Sequence, residues 1–535
     1  MRLSTGDHRL NDQSRYRKGA VLPFGIAITL LACTCAFAGD ASDPWIRDGK
    51  AALAQAKKLA PNDRPAKNVI LFLGDGMGVS TVTASRILEG QLRGKTGEEN
   101  LLSFERFPYS AVIKTYNTNQ QTPDSAGTMS AIMTGVKTKA GVISLDDGAL
   151  LGDVTTVAGN VRPTVLELAE KSGRSTGVVT TTRITHATPA ACYAHSPDRD
   201  WECDADLPQT AKDAKSPDIA RQLIEFAYGD GLEVALGGGR RYFLPDSTAD
   251  PEETTKKGLR KDGRDLTQEW LAKPKSTYVW NSSQFHAIDL KQTDHLLGLF
   301  EPSHMEYETD RAGDAGGEPS LTEMTVKAIE LLSRNEKGFF LMVEGGRIDH
   351  GHHACNAYRA LTDTIEFAKA VQAAVEKTDR KETLILVTAD HSHVFTFGGY
   401  AIRGNPVLGK VVENDEPGRP GGVALDSLGL PYTAVGYANG PGYSGASKEQ
   451  PEGPKTYPHA GKECKAISKG RPDLKSAETQ SVSYMQETTV PLESETHGGE
   501  DVVVYADGPM SHLIHGVQEQ NYLFYVMSDA LGVLP

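Results

Sequence analysis

Positive charge is scarce in this sequence. Fifty-six lysines and arginines face 70 aspartates and glutamates, a formal net charge of −14 at pH 7. That deficit argues against broad, non-specific nucleic-acid binding, which depends on neutralising many phosphates. Internal repeats and long low-complexity tracts are absent, and no segment after the N-terminal region is apolar enough to cross a membrane. Cysteine is sparse, six in 535 residues. What remains is ordinary globular material: 39% hydrophobic and 24% charged, long enough for one large domain or a few smaller ones. An acidic chain that handles anions needs local cations, so metals or a buried arginine are a first expectation.

The N-terminus reads as a targeting segment covering residues 1–38. Arg15, Arg17 and Lys18 precede an apolar run from Ala20 to Ala32, and Ala36-Phe37-Ala38 supplies a small-x-small cleavage signal before Gly39. The expected location is periplasmic or secreted. Processing before Cys33, with acylation there, is the lipoprotein alternative. The C-terminal residues Ala530–Pro535 do not suit a lipid-anchor signal. Cys33 and Cys35 leave with the leader, so Cys192, Cys203, Cys355 and Cys464 remain. Cys192 and Cys203 are close in sequence and form the expected bridge, with four free thiols as the open alternative.

Asp43-Pro44-Trp45 reads as an N-cap and a first-turn proline, opening a helix that runs to about Leu59, before Pro61. Continuous apolar runs then recur at 68–73, 176–180, 338–343, 383–388 and 501–505. Such runs suit strands buried on both faces of a parallel sheet. Helical stretches, such as 321–333 and 357–377, lie between them. The fold class expected is therefore α/β, a large, mostly parallel central sheet sandwiched by helices. From about Tyr400 to Leu492 glycine, proline, lysine and glutamate dominate, which predicts an insertion carrying a small subdomain or long loops within a domain covering 39–535.

The chemistry gathers at strand ends. The first run ends at Asp75, another at Glu344 with Asp349 and His353 just beyond, and another at Asp390-His391. In open α/β sheets, ligands bind beyond the carboxyl ends of the strands. Any one of these residues alone reads as a turn, a cap or a surface histidine. Together they predict a carboxylate–imidazole rim, whose mutual repulsion a metal would relieve. If 349–353 is helical, Asp349 and His353 share a face. His350 and His352 then sit beside the ligands or face solvent, with His350 the better supporting candidate. Pro123-Asp124-Ser125 places a hydroxyl at a helix N-terminus, where free N–H groups favour an anion. Taken alone, Asp124-Ser125 is no more than a helix cap.

These segments resemble the alkaline phosphatase family. Leu73-Gly-Asp75-Gly-Met-Gly, Pro123-Asp-Ser125-Ala and Thr388-Ala-Asp390-His391 match its core motifs. Thr185-His186-Ala-Thr188-Pro, the segment from Val343 through Glu344 and Asp349 to His353, and Glu495-Thr-His497-Gly-Gly look like its animal-type branch. The similarity runs from about Trp45 to Leu531. It implies phosphate-monoester hydrolysis of broad range through a phosphoserine on Ser125, with Arg199 holding phosphate. It also implies two zinc ions, one on Asp349, His353 and His497 and one on Asp75, Asp390 and His391. A magnesium would sit on Asp75, Thr188 and Glu344, with His186 and His350 reaching it through water. A calcium site would use Glu252, Glu301, Glu318 and the Phe300 carbonyl. The 400–492 insertion corresponds to the family's crown, and members are usually homodimers to which the helix after Pro44 contributes.

Rival readings are a sulfatase or phosphodiesterase of the same metal-hydrolase superfamily, and a non-catalytic protein that binds metal or phosphate. A sulfatase nucleophile lies in Cys/Ser-x-Pro-x-Arg, whereas Ser125 is followed by Ala-Gly-Thr-Met. Simple metal capture would need neither Ser125 nor Arg199.

Overall fold

The computed structural model describes residues 43–468 and 470–535. The leader and lipidation readings, with Cys33 and Cys35, lie outside the described residues. The chain divides into two compact units, one ending at Leu59 and one running from Ala60 to Pro535. In the first, helix α1 spans Pro44–Ala56 rather than reaching Leu59. Asp43 caps it by accepting a hydrogen bond from the Trp45 amide at 2.9 Å. Pro44 fills the first turn, where a missing N–H costs nothing.

The second unit is built on a ten-stranded sheet. Its first eight strands are β1 (Asn68–Gly74), β2 (Tyr109–Lys114), β3 (Ser175–Arg183), β4 (Val234–Gly238), β5 (Ser276–Val279), β6 (His295–Leu299), β7 (Phe339–Gly345) and β8 (Thr383–Ala389). Strands Val502–Asp507 and Val517–Glu519 complete it. The spatial order is Val517–Glu519, β2, Val502–Asp507, β8, β1, β7, β3, β4, β6, β5. From β8 to β5 every neighbouring pair is parallel. The expected run at 501–505 is a strand, but it lies antiparallel to both β8 and β2, so the parallel-type reading fails there. Its valines record burial and not direction.

Every residue of β7 and β8 is buried, which is why their sequences do not alternate. Helices flank the sheet in two groups. Leu321–Leu332 and Ala357–Lys377 pack on each other and on its central strands, and so does a second group that includes Val165–Lys171, Ala187–Tyr193 and Tyr522–Leu531. Phe72 and Phe367 meet edge to face at 5.8 Å within this core.

Between 400 and 492 the backbone forms only short ladders, such as Val412–Asn414 with Pro420–Val423 and Lys455–Thr456 with Tyr484–Met485. One small cluster, containing Val407, Leu408, Tyr437 and Met485, packs with Ala84, Ile87 and Leu88 of helix α2 (Val79–Leu92) and with Leu361. The expected Cys192–Cys203 bridge is not formed, and the four described cysteines are free thiols. Cys192 Sγ faces the Thr188 carbonyl inside its own helix, whereas Cys203 Sγ lies 3.2 Å from Asp206 Oδ2. Closeness along the chain did not bring these two side chains together.

Candidate active site

Strands β8, β1 and β7 are neighbours, and their register aligns their ends. Leu73 pairs with Thr388 on one side and Glu344 on the other, and Gly74 pairs with Ala389 and Gly345. Asp75, Asp390 and Glu344 therefore emerge on one rim despite their separation in sequence. Asp390 Oδ1 accepts hydrogen bonds from the Gly76 and His391 amides at 3.1 and 3.0 Å, and Oδ2 accepts one from Thr128 Oγ1 at 3.3 Å. Gly76 turns the chain at φ +65°, and a Cβ there would stand 2.2 Å from His393 Nε2, so only glycine fits.

Helix α3 (Ser125–Thr134) points its N-terminus at the same rim. Asp124 caps it, with Oδ1 accepting from the Gly127 amide at 3.1 Å and from Asn117 Nδ2 at 2.9 Å. Asp124 Oδ2 accepts from the Gly141 amide and, at 3.2 Å, from Arg199 Nη1. Arg199 Nη2 lies 3.0 Å from His186 Nε2. Ser125 is buried at the first helical position, and its Oγ is 3.1 Å from His391 Nε2. The bland capping role belongs to Asp124, which leaves the Ser125 hydroxyl free for other work.

His391 Nε2 is also 3.3 Å from Asp75 Oδ1 and from Asp390 Oδ2. Asp349 and His353 share a face of helix Arg347–His353, with Nε2 and Oδ1 3.2 Å apart. His497 Nε2 lies 3.4 Å from Asp349 Oδ1 and 3.2 Å from His353 Nε2. The outer nitrogens of both rings meet carbonyls, His353 Nδ1 at Glu495 O (2.6 Å) and His497 Nδ1 at Pro123 O (2.8 Å). Those carbonyls hold the proton on Nδ1, so two Nε2 lone pairs and a carboxylate oxygen converge on one spot. A bound cation removes that repulsion. The hydrogen-bond inventory agrees: both oxygens of Asp75, Asp349 Oδ1 and Glu344 Oε1 are buried without a hydrogen-bond partner, as are Thr188 Oγ1 and His186 Nδ1. Donor atoms of Asp75, Asp390 and His391 lie within 4.8 Å of one another, as do those of Asp75, Glu344 and His186 and those of Asp349, His391, His393 and His497. Mixed carboxylate and imidazole sets of this kind suit zinc, and oxygen-rich ones suit magnesium.

Electrostatics point the same way. Burial, then the nearby Asp390, Asp349 and Glu344, push Asp75 well above the usual carboxylate range. Burial raises Asp390 as well, and lifts Glu344 to about 7 against the Thr180 and Thr182 hydroxyls that bond its Oε2. Burial would raise Asp349 too, but His353, His393 and His497 hold it well below its ordinary value. Burial pushes His391 well down, which favours a neutral ring able to act as a ligand.

Several residues at this rim were not singled out from the motifs. His393 Nε2 lies 2.9 Å from Asp349 Oδ1, and its Nδ1 lies 2.6 Å from Glu495 Oε2. The Asp390-His391-Ser392-His393 repeat was the available signal, since residues two apart on a strand share a face. His352, read as supporting or solvent-facing, is fully buried. His304 places its ring 4.2 Å from His350 and 5.4 Å from His186, making a cluster of three imidazoles, and nothing in its own segment marks it. His350 Nδ1 accepts from Arg347 Nη1 at 2.9 Å.

The expected calcium ligands are partly regrouped. Glu252 and Glu301 come together with Asp314, their oxygens within 4.8 Å. Glu318 is not in that group. Its Oε1 accepts from the Glu306 amide at 3.0 Å, and its Oε2 is buried without a partner. Burial lifts both Glu301 and Glu318 to about 9. Phe300 is buried at the end of β6, directly before Glu301.

Comparison with known proteins places this geometry in context. The sequence model of a family described as alkaline phosphatase matches residues 66–533. A tissue-nonspecific alkaline phosphatase of Gallus gallus is 44% identical over 521 residues, 95% of this chain and 94% of that protein. An alkaline phosphatase of Gadus morhua is 44% identical over 475 residues, 88% of this chain and 92% of its own length. Among solved structures, the Thermus thermophilus alkaline phosphatase superposes with a TM-score of 0.60 at 23% identity, covering 90% of this chain and 94% of that one. The enzyme from the Antarctic bacterium TAB5 gives 0.56 at 22%, covering 88% and 100%.

Proposed function

The chain belongs to the alkaline phosphatase family and is a phosphoric monoester hydrolase, and from that premise we propose that Ser125 Oγ takes the phosphoryl group and then yields it to water. One observation carries the reading: a buried hydroxyl at a helix N-terminus, 3.1 Å from His391, faces a rim of carboxylate oxygens that lack hydrogen bonds.

In this reading Asp349, His353 and His497 hold one zinc, and Asp75, Asp390 and His391 hold a second. Asp75, Thr188 and Glu344 would hold magnesium, with His186 and His350 as supporting residues beside it. Cations held there would supply Lewis acidity toward the nucleophile, the leaving oxygen and the hydrolytic water. Ser125 attacks phosphorus in line with the leaving oxygen, and the free amides of the first turn of α3 face the equatorial oxygens. Arg199 turns its guanidinium fork from Asp124 to two phosphate oxygens. Its pairing with Asp124 keeps the arginine at the mouth of the site between turnovers. These contacts address phosphate and not the alcohol, so a broad substrate range follows.

Trapping acid-stable label on the protein during turnover of a labelled monoester tests the scheme. Label confined to residue 125 is expected. Ser125→Ala should lose about 10³-fold or more in kcat and retain its zinc. Full activity in that variant would refute the nucleophile. Side-by-side assays with p-nitrophenyl phosphate, its bis-ester and its sulfate separate the phosphatase from its superfamily rivals.

Three further readings belong to the same proposal. Glu252, Glu301 and Asp314, with the Phe300 carbonyl, form the calcium site, and the closeness of Asp314 to Glu252 and Glu301 favours it over Glu318 as a ligand. The protein is exported and homodimeric. Among the described residues no helix is long and apolar enough to cross a membrane.

A further inference from the structure

We propose that Tyr437 and His352 are positioning residues for the zinc site on Asp349, forming a buried link through which the 400–492 insertion fixes the metal-bearing helix. The inference rests on the reading of Asp349 as a zinc ligand.

His352 lies three residues after Asp349 on helix Arg347–His353. It has no solvent exposure. Its Nε2 is 2.9 Å from Thr81 Oγ1 on α2, and its Nδ1 is 2.8 Å from the Tyr437 hydroxyl. A neutral imidazole has one N–H and one lone pair, and each hydroxyl can donate or accept, so both bonds are satisfied at once. The ring is thereby pinned from two directions, by α2 and by the insertion.

Strand Val435–Tyr437 pairs with Phe395–Phe397, Tyr437 opposite Phe395, two residues beyond His393. The His352 ring packs on the His393 ring at 4.7 Å and on Phe395 at 5.0 Å. His393 in turn stands between Asp349 Oδ1 and Glu495 Oε2. Glu495 Oε1 accepts from the Val394 amide at 2.8 Å, which fixes the carboxylate to the same strand. A continuous set of buried contacts thus runs from Tyr437 through His352 and His393 to Asp349.

The helix end is clamped in parallel. Cys355 turns the chain at φ +52°, a conformation costly for a residue with a Cβ. The Gln486 amide donates to the Cys355 carbonyl at 2.9 Å, Gln486 Oε1 accepts from the Ala357 amide, and Asn356 Nδ2 donates to Val482 O. The insertion therefore supplies the partners that hold this turn where His353 can share a cation with Asp349. Groups behind metal ligands set ligand orientation, and their loss commonly costs metal affinity tenfold or more.

The test measures zinc release from purified, fully loaded enzyme into a chromogenic chelator, together with melting of the holo and apo proteins. Four variants serve: Tyr437→Phe, His352→Gln, Val407→Ala and Asp349→Asn. Tyr437→Phe removes one hydroxyl and should speed release of one zinc about tenfold. His352→Gln keeps a donor and an acceptor at the side-chain end and should fall between parent and Tyr437→Phe. Val407→Ala loosens the same apolar cluster without touching the link, and should lower stability without a matching rise in release. Asp349→Asn should lose that zinc outright. Release from Tyr437→Phe at the parental rate, or no faster than from Val407→Ala at equal melting temperature, overturns the proposal while leaving the site intact. Full zinc retention in Asp349→Asn would instead remove the reading on which it rests.

Discussion

Strand β3 serves buried carboxyl groups at both of its ends, by opposite means. At its amino end the Thr176 amide donates to Glu233 Oε2 and its hydroxyl to Glu170 Oε1, both at 2.6 Å. Burial and the neighbouring Glu233 push Glu170 up to about 9, and burial lifts Glu233 to about 7. This end borders a groove of about 850 Å³ in which Lys273 and Arg334 join Glu233. At its carboxyl end the Thr180 and Thr182 hydroxyls bond only one oxygen of Glu344, and the other joins the unpartnered oxygens of Asp75 and Asp349. Both ends concentrate negative charge out of water, which is costly. The amino end meets the cost with protons and hydrogen bonds. The carboxyl end leaves oxygens of Asp75 and Glu344 without hydrogen bonds beside His391, whose pKa burial pushes well down, an arrangement that a cation completes. Unsatisfied oxygens beside imidazole lone pairs, and not acidity as such, distinguish a metal centre from a protonated cluster.

The sharpest way to break this contrast is to neutralise one carboxylate at each end. Asp75→Asn touches both of the proposed cation ligand sets that share Asp75 and should reduce phosphomonoester turnover about 10³-fold or more, whereas Glu233→Gln should leave it within about twofold. Equal losses would mean the two ends do not differ in kind.

Removing cations comes next. Chelation should abolish activity and lower the melting temperature of the parent, because a ligand present at 1,000 times its Kd contributes about 4 kcal/mol. Added zinc should restore both. The loss on chelation should be unchanged in Glu170→Gln.

The pH dependence of stability then sharpens the amino end. A carboxyl group raised to about 9 keeps its proton in the folded state while the unfolded chain releases it above about 4.5. The folded state therefore binds more protons across that window, and stability falls as pH rises from about 4.5 to about 9. Glu170→Gln abolishes this term. It should match the parent near pH 4 and exceed it increasingly as pH rises toward 9, read from denaturant midpoints of the metal-free proteins. A difference of the opposite sign would overturn the protonated pair. The smallest effect belongs to Thr176→Val, which deletes one hydroxyl donor and should cost about 1 kcal/mol.

Much of this was legible in the chain before any coordinates. The runs at 68–73, 338–343 and 383–388 are strands because short, unbroken apolar runs closed by turn residues suit a strand buried on both faces, and their terminal Asp75, Glu344 and Asp390 lie on one rim. Shorter strands, such as β4 and β5, carry too few residues for any period to emerge. The direction of Val502–Asp507 was invisible because burial is the same for parallel and antiparallel neighbours. His304 and Asp314 escaped notice, and Glu495 was read only as part of a motif, because their roles come from neighbours distant in the chain.

By itself, then, the amino-acid order determined which segments must be buried, where they stop, and which side chains stand at those stops, since all three are local consequences of hydrophobicity and turn chemistry. Only the tertiary structure decided that Cys192 and Cys203 stay apart, that Asp314 joins Glu252 and Glu301, and that Tyr437 reaches His352. Side-chain contact depends on register and crossover paths, and these are fixed by packing of the whole sheet rather than by spacing along the chain.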